Sequence, residues 1–174
     1  MSGIVGVSPD MKSGLVGKFP VGHIIQTTAV TIGTTETDIR AAAVTWYPTV
    51  VTASITTASA SNSVILHAFF AQYIHDTGGD SGFSMRIKKV HSGGTTYPNE
   101  MSQHHTNSYS SAYYNRGNGD EGHSYHNTFQ DPTCGVAGVI TYTIEGMTTG
   151  VSNTANLGGT MGARWGIWFQ EIQR

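Results

Sequence analysis

The sequence predicts an all-β protein: an antiparallel β-sandwich, jelly-roll-like, with an extended N-terminal arm. Three observations carry that prediction. Charged residues are only 11% of the 174, well below the usual quarter, while Gly numbers 22 and Ser and Thr recur throughout. Short runs rich in Val, Ile, Thr and aromatics alternate apolar with polar residues, and clusters of Gly, Asn, Asp and Ser punctuate them. No stretch keeps a convincing helical period, and neither internal repeats nor heptads are visible. The expected organisation is an arm over 1–22 and a sandwich head over 23–174.

The arm carries Gly3, Gly6, Gly14, Gly17 and Gly22 with Pro9 and Pro20. Each Gly inside a helix costs about 1 kcal/mol relative to Ala, so the arm is too broken for one. Ile4, Val5, Val7, Leu15, Val16 and Phe19 make it too apolar for a free linker, and it is expected to lie against a partner. His23 to Ile32 reads as a first strand, with Gly33 and the polar Thr34–Asp38 ending it. Ile39 to Tyr47 is ambiguous, because Ala41–Ala43 favour a helix while Val44, Thr45, Trp46 and Tyr47 favour a strand that Pro48 stops. Val51, Ala53 and Ile55 then share one face of a strand over 50–56.

A Thr/Ser/Ala turn leads into the long strand Ser63–Ile74, which is apolar on both faces. Val64, Leu66, Ala68, Phe70 and Ile74 point one way, and Ile65, Phe69, Ala71 and Tyr73 the other. A sandwich covers only one of those faces with its own second sheet. Thr77–Gly82 reads as a hairpin turn into Phe83–Val90, with Phe83, Met85 and Ile87 inward and Ser84, Arg86 and Lys88 outward. From His91 to Gly135 there is no Leu, Ile or Val. Short strands near Ser108–Tyr114 and His123–Phe129 are expected there, with a turn over Gly117–Gly122. Val136–Met147 is a regular strand with Ile140, Tyr142 and Ile144 on one face, and Thr148–Gly159 is a polar connection. The closing strand, within Met161–Ile172, puts Trp165, Ile167 and Phe169 inward and Trp168 and Ile172 on the other side.

Composition also excludes classes of function. A net charge of −2 leaves no electrostatic footprint for nucleic acid or an anionic membrane. There is no run of about 18 apolar residues, so no membrane insertion is expected. The lone Cys134 has no disulfide partner in the chain and reads as a small buried hydrophobe. The start MSGIVGVSPDMKSG lacks the charged and apolar regions of a signal peptide.

Three stretches, SGLVGKFPVGHIIQ, ITTASASNSVILHAFF and WGIWFQEIQR, resemble short virion proteins common in marine tailed bacteriophages. The likeness covers the two ends and the first third of the head. The middle, 91–160, matches only in its Gly/Tyr/Ser character. The resemblance implies a jelly-roll head, usually a homotrimer, displayed on the virion surface as a capsid decoration, head-fibre or tail-fibre protein. It implies other virion proteins as partners and assembly in the host cytoplasm. The missing shaft departs from long fibres and favours a short decoration.

The surplus apolar residues Ile65, Phe69, Tyr73, Trp168 and Ile172 are the expected oligomer interface, because contiguous exposed apolar groups mark interaction surfaces. A loop from 91–131 folded over that face is the alternative. The Tyr-, Ser-, Asn- and Gly-rich segment 91–131 has the composition of antibody binding loops. Tyr97, Tyr109, Tyr113, Tyr114, Arg116 and Tyr125 are therefore candidate contacts to a host-surface glycan or protein, against the plainer reading that they pack in an outer sheet.

No enzyme, metal or cofactor is expected. Gly79-Asp80-Ser81-Gly82 imitates a serine-protease nucleophile region, yet a hairpin turn accounts for it: His67 sits in a strand interior, and the serine falls too early for the two-barrel body that carries the order His, Asp, Ser. His104, His105, His123 and His126, flanked by His75 and His91, have poor chelate spacing, since His123 and His126 alternate across a strand. Glu100, Asp120 and Glu121 have no fixed separation to support glycan cleavage.

Overall fold

A computed structural model describes residues 21–39, 45–75, 80–98, 113–116, 121–148, 154–159 and 162–174. Twelve strands lie among them: β1 Ile24–Thr27, β2 Thr31–Gly33, β3 Glu36–Ile39, β4 Tyr47–Thr57, β5 Ser63–His75, β6 Asp80–His91, β7 Gly94–Thr96, β8 Tyr113–Arg116, β9 Glu121–Asp131, β10 Gly138–Thr148, β11 Thr154–Gly158 and β12 Trp165–Ile172. No α-helix occurs among the described residues, and none of their segments is a helix long and apolar enough to cross a membrane.

The pairing makes two antiparallel sheets. In the first, β5 lies between β9 on one side and β12 and β11, end to end, on the other; β12 carries β1 and β2, and β11 carries β3. The second runs β4-β10-β6, with β7 and β8 end to end against β6. With end-to-end strands taken as one, the chain visits eight positions, ordered 1-8-3-6 in the first sheet and 2-7-4-5 in the second. That order is a jelly roll.

Alternation decides which side chains fill the space between the sheets. Val64, Leu66, Ala68 and Phe70 of β5 and Trp165, Ile167 and Phe169 of β12 meet Val51 and Ile55, Met85 and Ile87, and Ile140, Tyr142 and Ile144 from the other sheet. All are buried, as the alternating pattern predicts. Buried at the same level is Gln72, whose amide nitrogen and oxygen have no hydrogen-bond partner.

Four sequence expectations need correction. His23–Ile32 is not one strand: β1 and β2 are separate pieces laid along β12, with Thr28 making the junction through its backbone to Phe169. Thr34–Asp38 does not simply end a strand, since Glu36–Ile39 pairs with β11, itself within the expected polar connection. β5 and β6 are not a hairpin, because they belong to opposite sheets. Each has an apolar inner face, and sending them to facing sheets buries both faces against each other. The GDSG stretch is not wholly a turn: Asp80, Ser81 and Gly82 begin β6 and pair with Arg116, Asn115 and Tyr114.

Candidate functional site

The outer face of the first sheet collects the surplus apolar residues. Registers Phe69↔Gly166, His67↔Trp168 and Ile65↔Gln170 set odd positions of β5 beside even positions of β12. Ile172 continues the row opposite Ser63, and Tyr73 lies farther along β5 opposite Asn156 of β11. Ile65, Phe69, Tyr73, Trp168 and Ile172 thus share one face, all half-buried in the single chain.

Aromatic stacking orders this face. The His67 and Trp168 rings are 4.9 Å apart and 9° from parallel, and Phe69 lies 6.5 Å from Trp168 and 5.9 Å from His126 of β9. His67 is fixed through both nitrogens, to Thr128 Oγ1 and Gln170 Oε1 at 3.2 Å each. Gly166 makes room for this arrangement: a methyl there would collide with the Phe69 ring. The apolar surface continues across β12 to Ile24, Val30 and Ile32, which are 44%, 45% and 56% exposed. Ser124, Thr128 and Gln130 of β9 form a polar, uncharged margin. Among the described residues, the outward positions of β5, β9 and β12 hold no Asp, Glu, Lys or Arg.

Gly22 donates its backbone N–H to Gln173, and Gln173 donates to His23, so the chain emerges beside the end of β12. Residues 1–20, with Ile4, Val5, Val7, Leu15, Val16 and Phe19, lie outside the described residues. The exit is anchored by the fully buried Glu171. Its carboxylate accepts from Ala58 N at 2.8 Å and Asn62 Nδ2 at 2.6 Å through Oε1, and from Gln26 Nε2 through Oε2.

A second buried polar cluster lies nearby, and sequence reasoning missed it. Lys89 Nζ is 2.6 Å from Asp131 Oδ2, with side chains only 5% and 4% exposed. Tyr142 donates its hydroxyl to the same oxygen at 2.6 Å, and Nζ also donates to Thr133 O at 2.7 Å. Burial, and then the charge of Asp131, pushes the Tyr142 phenol far above its ordinary range. The buried Cys134 thiol is pushed up to about 11, first by burial and then by Glu171 and Asp131. The signal was parity: Lys89 follows Met85 and Ile87 on the inner side of β6, as Glu171 follows Ile167 and Phe169 on β12.

On the outer face of the second sheet, the Arg86 guanidinium lies 4.5 Å from the Trp46 ring centroid and 3.8 Å from that of Tyr97. Glu145 pairs with it at 2.6 Å, and Lys88 approaches Glu145 at 3.7 Å. Tyr97 is 39% exposed. Tyr125 turns inward and stacks on Phe70 at 5.4 Å, its phenol pushed up to about 12 by burial, so it packs on the core rather than presenting a ligand surface. Tyr113, Tyr114 and Arg116 are placed as backbone in β8, and Tyr109 lies outside the described residues. His104 and His105 lie outside them as well, whereas His126 stacks on Phe69. Among the described residues, no three His, Cys, Asp or Glu side chains converge as a metal site would require.

No protein-family model matches the chain, and no curated protein matches it. A chain in the structure of infectious bursal disease virus, Gx strain, is similar over 98% of this chain at 12% identity and a TM-score of 0.40. This chain spans 42% of the length of that one. A fold hosts many functions, so function has to be argued from the surfaces described above.

Proposed function

We propose that the protein is a non-enzymatic structural protein of a bacteriophage virion, a decoration or short fibre displayed on the particle. Copies associate about a symmetry axis, as a homotrimer, through the outer face of the first sheet, and the arm over 1–22 docks the head on other virion proteins. The observation that carries this reading is the uncharged aromatic row Phe69, Trp168 and His67, with exposed Ile24, Val30 and Ile32 beside it. The core is already closed on the opposite side of the same strands, so these groups contribute little to folding the single chain. The β5, β9 and β12 part of that face is uncharged, so copies that meet there bring no like charges together. The arm exit beside β12 is consistent with the docking role, and the sequence resemblance supplies the phage setting.

The test is removal of residues 1–22, followed by sedimentation and binding to particles lacking the protein. The expected head is folded and trimeric but no longer attaches. Unchanged attachment overturns the docking role, and a monomeric full-length chain overturns the trimer.

The Trp46–Arg86–Tyr97 stack favours a second reading, a receptor- or glycan-binding adhesin that uses the 91–131 region. An exposed aromatic ring beside a charge-paired Arg matches the stacking and polar contacts that sugars use. Loss of glycan-array or host-cell binding on Tyr97→Ala, with trimer mass unchanged, supports it.

A further inference from the structure

We propose that Lys89 and Asp131 are joined by an intramolecular isopeptide bond, a cross-link that the folded protein makes between its own two sheets. Lys89 comes from β6 of the second sheet and Asp131 from the end of β9 in the first, and the two are in contact at 2.6 Å inside the sandwich. An ion pair this deeply buried is expensive to keep charged. The nucleophile is the neutral amine, formed when Nζ passes one proton to the carboxylate it touches.

The amine then attacks Cγ of Asp131. Tyr142 already donates to Oδ2, the oxygen on which negative charge develops, and its phenol stays protonated for the reason given above. Oδ1 leaves with two of the three ammonium hydrogens as water. The ammonium and carboxylate become one amide and one water, with no change in net charge and no oxidant or reductant. Holding both groups in place is equivalent to an effective concentration of about 10⁵–10⁸ M, which offsets the tendency of water to reverse the reaction.

The groups around the pair match the needs of the product. The amide has one N–H, and Thr133 O already accepts from that nitrogen at 2.7 Å. Its carbonyl oxygen is Oδ2, to which the Tyr142 hydroxyl already donates at 2.6 Å. Both polar atoms of the product therefore have their partners, whereas the ion pair leaves two formal charges in the interior. The competing dehydration of Asp131, cyclisation onto the next backbone nitrogen, is closed because residue 132 is proline and carries no N–H.

The test is the intact mass of the full-length protein under denaturing conditions, followed by tryptic mapping. The expected mass is one water below that of the sequence, with the Lys89 and Asp131 peptides joined and no cleavage after Lys89. Lys89→Arg is expected at its full sequence mass. Asp131→Asn is expected to lose ammonia instead of water and to reach the same product mass as the wild type. Wild-type protein that stays at full mass after prolonged incubation in the folded state overturns the proposal. So does a water loss that maps elsewhere or that persists in Lys89→Arg.

Discussion

Replacing Glu171 with Gln tests what holds the arm exit in place. The carboxylate accepts three hydrogen bonds inside the protein, from Ala58, Asn62 and Gln26. Gln keeps the shape and one accepting oxygen, so the Ala58 and Asn62 bonds survive as neutral ones. Hydrogen bonds to a charged group contribute about 1.5–3 kcal/mol against about 0.5–1.5 for neutral ones, so each survivor loses about 1 kcal/mol. The bond from Gln26 is lost, because the new amide nitrogen faces a donor that already serves Thr56 O at 2.6 Å. That adds about 1 kcal/mol. Removing a buried charge returns part of the total, leaving a net loss of about 2–3 kcal/mol. For a domain of this size that lowers the Tm by about 5–10 °C. Urea denaturation of Glu171→Gln, Asn62→Ala and the double variant measures the loss and the coupling between the two sites. A Glu171→Gln change within about 0.5 kcal/mol of wild type, the range of ordinary surface substitutions, refutes the reasoning.

Three other outcomes are expected. Trp168→Ser removes the ring that stacks on His67 and reduces the sedimenting mass to that of the monomer; an unchanged mass shows that copies do not meet on this face. Gln72→Leu stabilises the protein by about 1–3 kcal/mol, since it removes a buried amide with no partner; equal or lower stability in urea argues that the amide is satisfied. Cys134, raised to about 11 when folded, retains its proton where an unfolded thiol, near about 8.5, loses it. Its contribution is therefore fully present below the unfolded value and is lost as pH rises toward 11. Wild-type stability should fall across that alkaline window, and Cys134→Ala should fall less steeply; parallel slopes contradict the assignment.

Period-two alternation made most of the fold legible. β5 and β12 are where the apolar runs place them, and Ile140, Tyr142 and Ile144 point inward as read. Sheet membership was not legible in the same way. A short Gly/Asp connection between β5 and β6 looks like a hairpin locally, and only the need to cover two apolar inner faces sends the strands to opposite sheets. β11, with the sequence TANLG, carries a single large apolar residue, Leu157, so alternation had almost nothing to register. The five outer-face residues were legible because a strand apolar on both sides leaves one side unexplained. Lys89, Asp131 and Glu171 were not, because burial of a charged residue depends on opposite or hydrogen-bonding partners brought from other strands: Lys89 meets Asp131, and Glu171 meets Asn62 and Ala58, 42 or more positions away in the chain.

β12 joins the two proposed roles and also separates them. Its odd positions, Trp165, Ile167, Phe169 and Glu171, face the interior, and Glu171 fixes the point from which the arm departs. Its even positions, Trp168 and Ile172, face outward beside β5. Neighbouring residues therefore answer different questions. A change at Glu171 acts through buried hydrogen bonds and should lower stability while leaving the outward ring stack in place. A change at Trp168 removes a half-buried ring from a face that the core does not need, and should alter association more than folding. If both substitutions destabilise the single chain equally and neither changes association, the outer row is simply a second layer of packing. The surplus of apolar residues on β5 then has no partner to explain it.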